Sequence, residues 1–283
     1  MLFLRSPYIG NRLRSLSLCL MLAFSLGFLS GQLWPSVTAA GCRLEDLTQD
    51  PDTRFAGAEL ARQAAATTGA DSTHASQKLV CLTFDDGPSK NTPAVLEVLE
   101  RYGVPATFFV IATGYNDEYL PLVRQAREAG HQIALHSASH DYSAIYSSPA
   151  AYWEDIDLLR ERLSPYVDPD GLTYLRFPGG STNTVSRKYG GAGIMKELKA
   201  QAEEKGYQWV DWNVCGEDAA GEKLSPGEIF KNVVKSTNGQ SVCVVLLHDS
   251  ATTSTTPEAL PDIIGWYKEQ GYEFCTVEQL YEK

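Results

Sequence analysis

Residues 79–88 form the stretch LVCLTFDDGP, an apolar run that ends in two adjacent carboxylates and a turn. The β-branched and apolar residues predict a buried strand, and Gly-Pro predicts that the strand stops there. Because neighbouring residues on a strand point to opposite faces, Asp85 and Asp86 can serve one site only if the backbone bends between them. Such a pair suits divided labour, in which one carboxylate binds a metal and the other moves a proton. The alternative is a surface turn, because Asp, Gly and Pro are common in turns.

Strand-like and helix-like segments alternate from this stretch to the end of the chain. Seven or eight βα units over about 200 residues predict a single parallel α/β domain and favour a barrel over an open sheet. After residues 79–84, the predicted strands are 106–111, 132–135, 172–176, 208–212, 242–247 and 272–275. The predicted helices are 92–102, 118–129, 149–163, 194–205, 226–235 and 257–270.

The N-terminal segment differs from the rest of the chain. Three arginines precede a 19-residue apolar stretch (16–34), and small residues follow at 37–40. This order predicts a secretory signal over residues 1–40. The apolar stretch is also long enough to span a bilayer, so a retained N-terminal membrane anchor is the alternative, and lipidation at Cys42 is a weaker one. In either case the catalytic part is expected to be extracellular or at the cell surface.

Composition separates a linker from the folded part and argues against one class of partner. Residues 41–76 are rich in Ala, Thr, Asp and Gln, which predicts a linker or stalk before a domain at 77–283. The formal net charge is −11, and it becomes about −14 when the three arginines of residues 1–40 are removed. Nucleic acid requires a basic footprint, so we do not expect it as a partner. The sequence leaves the oligomeric state open.

The six cysteines do not predict a metal knuckle or a disulfide framework. Cys19 lies in the predicted signal, and the other five are an odd number without CxxC spacing. Cys81, Cys243 and Cys275 fall in strand-like runs, where a buried thiol packs as a small hydrophobe. One disulfide among these three is the alternative for an exported protein.

Two histidines, His136 and His140, follow the predicted strand at 132–135. If this segment is helical, residues four apart share a face, and both imidazoles can bind one metal ion. A carboxylate from Asp85 or Asp86 would complete the three-ligand open site of a catalytic metal. The HxxxH spacing is common, so on its own it carries little weight.

Two further predicted strands end in residues with catalytic chemistry. Arg176 is a permanent cation that can hold a carboxylate ionised, and the nearby Gly179 and Gly180 allow close approach of the backbone and offer N–H donors. His248 ends an apolar strand. The alternatives are a Pro-Gly surface loop and a structural histidine. In α/β barrels, however, reactive residues lie at the C-terminal ends of strands, where all these clusters fall.

Taken together, four motifs resemble the polysaccharide deacetylase family with the NodB homology domain, carbohydrate esterase family 4. They are TFDDGP at 83–88, HSxxH at 136–140, RFP at 176–178 and LxH at 246–248. The resemblance covers about residues 77–283. It implies an α/β fold, a distorted (β/α) barrel with seven or eight parallel strands, and metal-dependent N- or O-deacetylation of a carbohydrate polymer.

The resemblance also implies the metal ligands and the base. Asp86, His136 and His140 are expected to hold a divalent metal, with Zn²⁺ as the first choice. The metal would lower the pKa of its water and polarise the acetyl carbonyl. Asp85 is expected to be the general base, and Arg176 to orient it and keep it charged.

The resemblance also implies residues that act on the leaving amine and on the acyl group. His248 is expected to be the general acid, and Asp218 to raise its pKa so that it holds a proton near neutral pH. The backbone N–H of Gly179 is expected to stabilise the oxyanion. Pro178, Gly179 and Leu246 are expected to contact the substrate.

Two positions depart from the family pattern. Gly179 follows Arg-x-Pro, where an aromatic residue is frequent, and Ala219 follows Asp218, where Trp is frequent. The groove for the sugar is therefore expected to be wider or built from other residues. Four other aromatic residues could form the aromatic walls of the groove in their place, namely Tyr115, Tyr142, Tyr146 and Trp153. The alternative for each of them is an ordinary packing role.

Together with the predicted secretory signal, the resemblance implies an exported hydrolase that removes acetyl groups from N-acetylated sugars of peptidoglycan or a chitin-like glycan. The first alternative is deacetylation of another acyl substrate, such as acetylxylan or a small amide, because the aromatic walls are missing. The second is a non-catalytic wall-binding module, which predicts loss of a ligand, the base or the acid. None of these residues is lost.

Overall fold

The computed structural model describes residues 77–221 and 223–282. The predicted signal or anchor at 1–40 and the predicted linker at 41–76 lie outside the described residues. Within the described part, none of the helices combines the length and the apolarity that a bilayer crossing requires.

Eight parallel strands form one curled sheet. Its order is β5-β4-β3-β2-β1-β7-β6, and β8 pairs with the first residues of β1. Among the described residues no pairing joins β5 to β6, so the barrel is not closed by hydrogen bonds at that point. The strands are β1 (Lys78–Gly87), β2 (Thr107–Ile111), β3 (Gln132–Ser137), β4 (Tyr174–Leu175), β5 (Gln208–Trp209), β6 (Val214–Cys215), β7 (Val242–His248) and β8 (Tyr272–Phe274). The predicted distorted (β/α) barrel is confirmed.

Helices lie between most of the successive strands along the chain, and a last helix follows β8. They are α1 (Thr92–Tyr102), α2 (Pro121–Glu128), α3 (Tyr142–Ile145), α4 (Pro149–Leu163), α5 (Arg187–Gly190), α6 (Ile194–Glu204), α7 (Pro226–Thr237), α8 (Thr256–Glu269) and α9 (Val277–Glu282). The helix predicted at 118–129 is divided into a 3₁₀ turn, Asp117–Tyr119, and α2. Pro121 explains the division, because proline is favoured at the first turn of a helix.

Strand β1 lies inside the sheet, between β2 and β7, and its two faces pack against different cores. Val80, Leu82 and Phe84 join the layer between the sheet and the helices. Leu79 and Cys81 join a smaller core inside the barrel. The alternation follows the two-residue period of a strand. Asp85 continues the inward-facing series, which places its carboxylate inside the barrel.

Helix α9 closes one end of the barrel interior. Val277 and Leu280 belong to the interior core, and the backbone N–H of Val277 donates to Thr107 Oγ1 at 2.9 Å. Glu278 N donates to Gln132 Oε1 at 2.9 Å. Thr107 and Gln132 are the first residues of β2 and β3, so α9 covers the N-terminal ends of these strands. A substrate pocket in the barrel therefore has to open at the opposite end, where the strands terminate.

The four cysteines of the described part, Cys81, Cys215, Cys243 and Cys275, are buried thiols. The Sγ atoms of Cys81 and Cys275 lie 3.3 Å apart. A disulfide requires about 2.05 Å, so the alternative of a disulfide among Cys81, Cys243 and Cys275 is not present in this structure.

Candidate active site

The end of β1 contains the backbone bend that the two adjacent aspartates require. Asp86 has φ = +66°, and the pairing register with β2 shifts between Asp85 and Gly87. An irregularity of this kind re-aims a side chain at the end of a strand. Gly87 allows Asp249 to pack directly against this end of the strand, because a Cβ there would lie 2.4 Å from Asp249 Oδ2. Asp85 and Asp86 consequently line the same pocket.

Asp86, His136 and His140 form a group whose ligand atoms lie within 4.8 Å of one another. Asp86 Oδ1 is 3.2 Å from His140 Nε2 and 3.5 Å from His136 Nε2. Two ligands about 2.1 Å from a tetrahedral ion lie about 3.4 Å apart, so these separations fit one ion. Asp86 Oδ1 is buried and receives no hydrogen bond. A buried carboxylate oxygen without a donor is the group that a cation would satisfy.

Hydrogen bonding and burial suit His136 to act as a metal ligand. Its Nδ1 lies 2.7 Å from the carbonyl oxygen of Arg176, which can only accept a hydrogen bond, so Nδ1 carries the proton. The lone pair then resides on Nε2, which faces Asp86. Burial lowers the pKa of His136 against the opposing effect of Asp85 and Asp86. For Asp86, burial alone would raise the pKa, but the imidazoles of His140 and His136 lower it below its ordinary value.

The two histidines do not lie on one helix, as the sequence suggested. His136 belongs to β3, whereas His140 lies in the following loop with φ = +52°. The loop folds back so that the two ring centroids are 5.3 Å apart. The helical condition on which the shared face depended is not met, because β3 extends through Ser137, paired with Ile111.

Asp155 of α4 organises this loop, and the sequence analysis missed it. Its Oδ2 accepts from Ser137 Oγ at 2.7 Å and from Ala138 N at 2.8 Å, and its Oδ1 accepts from Ser139 N at 2.9 Å. Ser137 Oγ in turn accepts from His140 N at 2.8 Å. One carboxylate thus fixes the path of the backbone between the two histidines.

Arg176 lies inside the barrel and is fully buried. Its Nη1 donates to Asp85 Oδ1 at 2.7 Å and to Thr83 Oγ1 at 2.8 Å. Nε donates to the carbonyl oxygen of Val210 at 2.9 Å, and the guanidinium lies 4.1 Å from the ring centroid of Phe109. Asp85 Oδ1 is therefore engaged, while Oδ2 is directed towards the ligand group, 3.9 Å from His136 Nε2.

Residues 177–180 form a tight turn at the edge of the pocket. Gly180 N donates to the carbonyl oxygen of Phe177 at 2.7 Å, and Gly179 has φ = +78°. These features, with Pro178 at the second position, are those of a type II turn. Tyr146 Oη donates to the carbonyl oxygen of Pro178 at 2.7 Å. Because C=O and N–H point in opposite directions across a trans peptide, the N–H of Gly179 points away from Tyr146, and Gly179 lines the pocket.

His248 and Asp218 form a pair on another side of the pocket. His248 Nδ1 lies 2.8 Å from Asp218 Oδ1, and Asp218 Oδ2 accepts from His248 N at 2.8 Å and from Thr256 Oγ1 at 2.7 Å. Burial lowers the pKa of His248, but the charge and hydrogen bond of Asp218 outweigh it and raise the pKa to about 9. Nδ1 faces Asp218, so Nε2 is the atom left to exchange a proton.

The pocket brings together most of the residues that the sequence singled out. It is lined by Asp85, Asp86, His136, His140, Tyr142, Gly179, Trp212, Cys215, Glu217, Ala219, Ala220, Leu246 and His248. Arg176 and Asp218 do not line the pocket but bind Asp85 and His248, which do. Pro178 is also absent from the pocket lining, and its carbonyl oxygen accepts a hydrogen bond from Tyr146.

The four aromatic residues that the sequence suggested for the groove lie in different surroundings. Only Tyr142 lines the pocket. Tyr146 and Trp153 are buried, and Tyr115 is 83% exposed. Trp212 and Glu217 also line the pocket and were not foreseen as site residues. Positive φ at Glu217, 56°, is a feature that the sequence gives no means to recognise.

A ligand group for a cation, a carboxylate paired with a buried arginine and a histidine paired with a carboxylate surround one pocket. These are the kinds of groups that hydrolysis at an acyl carbon requires. A family model described as polysaccharide deacetylase matches residues 72–193. A peptidoglycan-N-acetylglucosamine deacetylase of Bacillus cereus is 35% identical over 207 residues, which cover 72% of this chain and 88% of that protein. The chain therefore belongs to the polysaccharide deacetylase family and is a hydrolase of this family.

Solved structures agree with this assignment. The catalytic domain of peptidoglycan N-acetylglucosamine deacetylase from Eubacterium rectale is 36% identical, with a TM-score of 0.67 over 75% of this chain and 94% of that one. A family 4 acetyl xylan esterase from Clostridium thermocellum, solved with a cobalt ion, is 29% identical, with a TM-score of 0.57 over 72% and 91% of the two chains. Two of the curated relatives are much longer: this chain spans 31% of a bifunctional xylanase/deacetylase of Pseudobutyrivibrio xylanivorans and 39% of a peptidoglycan-N-acetylglucosamine deacetylase of Listeria monocytogenes. The resemblance inferred from the four motifs is confirmed.

Proposed function

We propose that the protein is a metal-dependent deacetylase of N-acetylated sugars in a polysaccharide, with peptidoglycan or a chitin-like glycan as substrate. The observation that carries the proposal is the position of Asp86, His136 and His140 between the Asp85–Arg176 pair and the His248–Asp218 pair, around one pocket. The names of the relatives from Bacillus cereus and Eubacterium rectale support peptidoglycan as the first substrate to test.

Asp86 Oδ1, His136 Nε2 and His140 Nε2 would hold the metal, with Zn²⁺ as the first choice because it suits a site of two histidines and one carboxylate. A divalent ion in this position supplies a Lewis acid that acidifies water and polarises an acyl carbonyl. The buried Asp86 Oδ1, which lacks a hydrogen-bond donor, supports the presence of a cation.

Asp85 acts as the general base through Oδ2. Arg176 holds Oδ1 and leaves Oδ2 directed towards the ligand group, so the carboxylate has a fixed orientation before a water molecule arrives. Oδ2 accepts the proton of the water molecule that attacks the acyl carbon. The N–H of Gly179 donates to the acyl oxygen as negative charge develops there, which is worth a few kcal/mol in related chemistry.

His248 acts as the general acid. Asp218 orients the ring and holds a proton on it at neutral pH, so Nε2 can protonate the leaving nitrogen. An amine is a poor leaving group unless it is protonated, whereas the alkoxide of an ester needs less help. A histidine with a raised pKa therefore favours N-deacetylation over hydrolysis of an acetyl ester.

Acetylxylan is the second candidate, because the related esterase from Clostridium thermocellum is named for that substrate. The His248→Ala variant separates the two chemistries. We expect it to slow amide cleavage more than cleavage of an activated ester. Equal slowing of both would contradict the assignment of His248 as the acid.

The decisive experiment is acetate release by the zinc-loaded protein from N-acetylglucosamine oligomers, peptidoglycan and acetylxylan, with and without a chelator. We expect release from an N-acetylated substrate, its loss with chelator and its recovery on addition of metal. Equal release with chelator would contradict metal dependence.

Action on cell-wall glycan also requires an extracellular or cell-surface location, which a reporter fused after residue 76 would test.

A further inference from the structure

We propose that Tyr142 is a specificity-determining residue that contacts the sugar carrying the acyl group. The proposal rests on the proposed deacetylase function and adds to it a residue outside the four motifs. It concerns the wall of the pocket beside Gly179, a position that has no side chain.

The space that a side chain at Gly179 would fill is already occupied. A Cβ built on Gly179 would lie 2.8 Å from Tyr142 Oη and 3.3 Å from Tyr142 Cε1. The first distance is shorter than any normal contact, so the phenol group takes the place of a side chain at this position. Gly179 also has φ = +78°, which glycine adopts without strain.

The next glycine makes room for a second ring in the same way. A Cβ on Gly180 would lie 3.0 Å from Trp212 Cη2. Tyr142 and Trp212 both line the pocket, together with Gly179. The two adjacent glycines of the turn therefore allow two aromatic side chains, from separate parts of the chain, to form the wall next to the N–H of Gly179.

Tyr142 is held in place by other rings and keeps its polar group available. Its ring packs edge to face against His140 and against Tyr146, with centroid separations of 5.6 Å in both cases. Within the described residues, the Tyr142 hydroxyl is not engaged in a hydrogen bond with another protein group. A fixed aromatic face with a free hydroxyl offers apolar contact to the C–H groups of a sugar and a hydrogen bond to one of its oxygens.

The test compares a sugar substrate with a substrate that has no sugar. The zinc-loaded wild type, Tyr142→Phe, Tyr142→Ala and Tyr166→Phe are assayed on N-acetylglucosamine oligomers and on 4-nitrophenyl acetate. Tyr166 is a matched control, because it is also a partly buried tyrosine but does not line the pocket. Metal content and thermal unfolding are measured for each variant.

A contact with the sugar predicts a selective loss. We expect kcat/KM on the oligomers to fall about 3- to 10-fold in Tyr142→Phe and about tenfold or more in Tyr142→Ala, mainly through KM. Turnover of 4-nitrophenyl acetate should stay within about twofold of the wild type, because an activated acetyl ester carries no sugar for Tyr142 to contact. Tyr166→Phe should match the wild type on both substrates.

Two outcomes would overturn the proposal. Equal losses on both substrates would mean that Tyr142 acts at the reacting atoms or only supports His140, and unchanged rates on the oligomers would mean that it makes no productive contact. Tyr142→Phe keeps the test valid if Tyr142→Ala loses metal or unfolds. A wild-type protein that hydrolyses the ester but neither binds nor deacetylates the oligomers would contradict the proposed function instead.

Discussion

Asp85 and Asp86 are adjacent in sequence, yet their surroundings differ. Asp85 pairs with the buried guanidinium of Arg176, whereas Asp86 meets two imidazoles and keeps one buried oxygen without a hydrogen-bond donor. The bend at Asp86 brings both carboxylates to one pocket. The division of labour between a base and a ligand therefore follows from what each carboxylate touches.

The Asp85→Asn variant tests this division. We expect kcat to fall about 10²- to 10⁴-fold, because the amide cannot accept a proton from water. We expect one equivalent of metal to remain bound, as measured by elemental analysis of the dialysed protein, because Asp85 is not in the ligand group. Loss of metal along with activity would show that the roles of the two aspartates are wrongly divided.

Asp218 controls the charge of His248, and this predicts a pH dependence. As a general acid His248 works in its protonated form, so activity is present below its pKa of about 9 and is lost as the pH rises through it. Without the charge of Asp218, the burial of His248 lowers its pKa. In Asp218→Asn the alkaline limb of kcat/KM should therefore move to lower pH by about one unit or more.

The control for this shift is Asp262→Asn, at an exposed position of α8. Both variants are compared with the wild type at the same metal loading, because a bound cation also lowers the pKa of His248. An alkaline limb that does not move in Asp218→Asn would contradict the role of Asp218.

The motif residues were predictable because their chemistry is local to the ends of predicted strands. Asp85, His136, Arg176 and His248 all lie at or next to strand ends. Asp155 could not be predicted, because its function depends on where α4 docks against the loop after β3. Nothing in the local sequence pattern distinguishes Asp155 from Asp157, which lies two residues further along the same helix.

At the scale of elements, the loop between β3 and α3 is needed for the ligand group because it carries His140. It places His140 opposite His136, and Asp155 holds it by accepting hydrogen bonds from two backbone N–H groups, Ala138 and Ser139, and from Ser137 Oγ. The loop is therefore an outer support of the metal site, and its geometry is set by a different secondary-structure element.

Asp155→Asn should weaken metal binding while leaving the fold intact. An amide replaces one of the two accepting oxygens with a donor, so the contacts to Ser137, Ala138 and Ser139 cannot all persist. Loss of such outer support typically costs 10- to 100-fold in metal affinity. Zinc affinity is measured by competition with a chromogenic chelator, and Asp157→Asn, exposed on the same helix, is the matched control. An unchanged zinc affinity in Asp155→Asn would contradict the support role.

Elements with local signals were predicted more accurately than those without them. The bounds of α1 and α4 agree with the prediction, since both helices have proline in the first turn. The strands at 172–176 and 208–212 are reduced to two residues each, β4 and β5, because the extent of a strand depends on its neighbours in the sheet. The two-residue strand β6 was missed for the same reason.

At the scale of the whole molecule, the two ends of the barrel have separate tasks. The strand termini carry the pocket, and α9 fills the opposite end with Val277 and Leu280. Stability and chemistry should therefore be separable by mutation at the end that α9 closes.

Leu280→Ala tests this separation. Removal of a buried leucine side chain should lower the free energy of unfolding by about 2–5 kcal/mol. At a temperature where the variant is still folded, kcat should remain that of the wild type. Denaturant unfolding and acetate release provide the two measurements, with Glu282→Ala on the exposed side of α9 as the control. A fall in kcat in the folded variant would contradict the separation.

The buried position of Arg176 has a consequence for how this protein can change over evolutionary time. Among the described residues, Asp85 is the carboxylate paired with this fully buried cation. An apolar residue at position 85 would leave an uncompensated charge inside the barrel, which typically costs 3–5 kcal/mol, a large part of the stability of a domain. Lineages that no longer need the reaction would thus be expected to retain the aspartate, or to lose the arginine first. In descendants of this fold, the presence of the base is therefore weaker evidence for activity than the presence of the histidines.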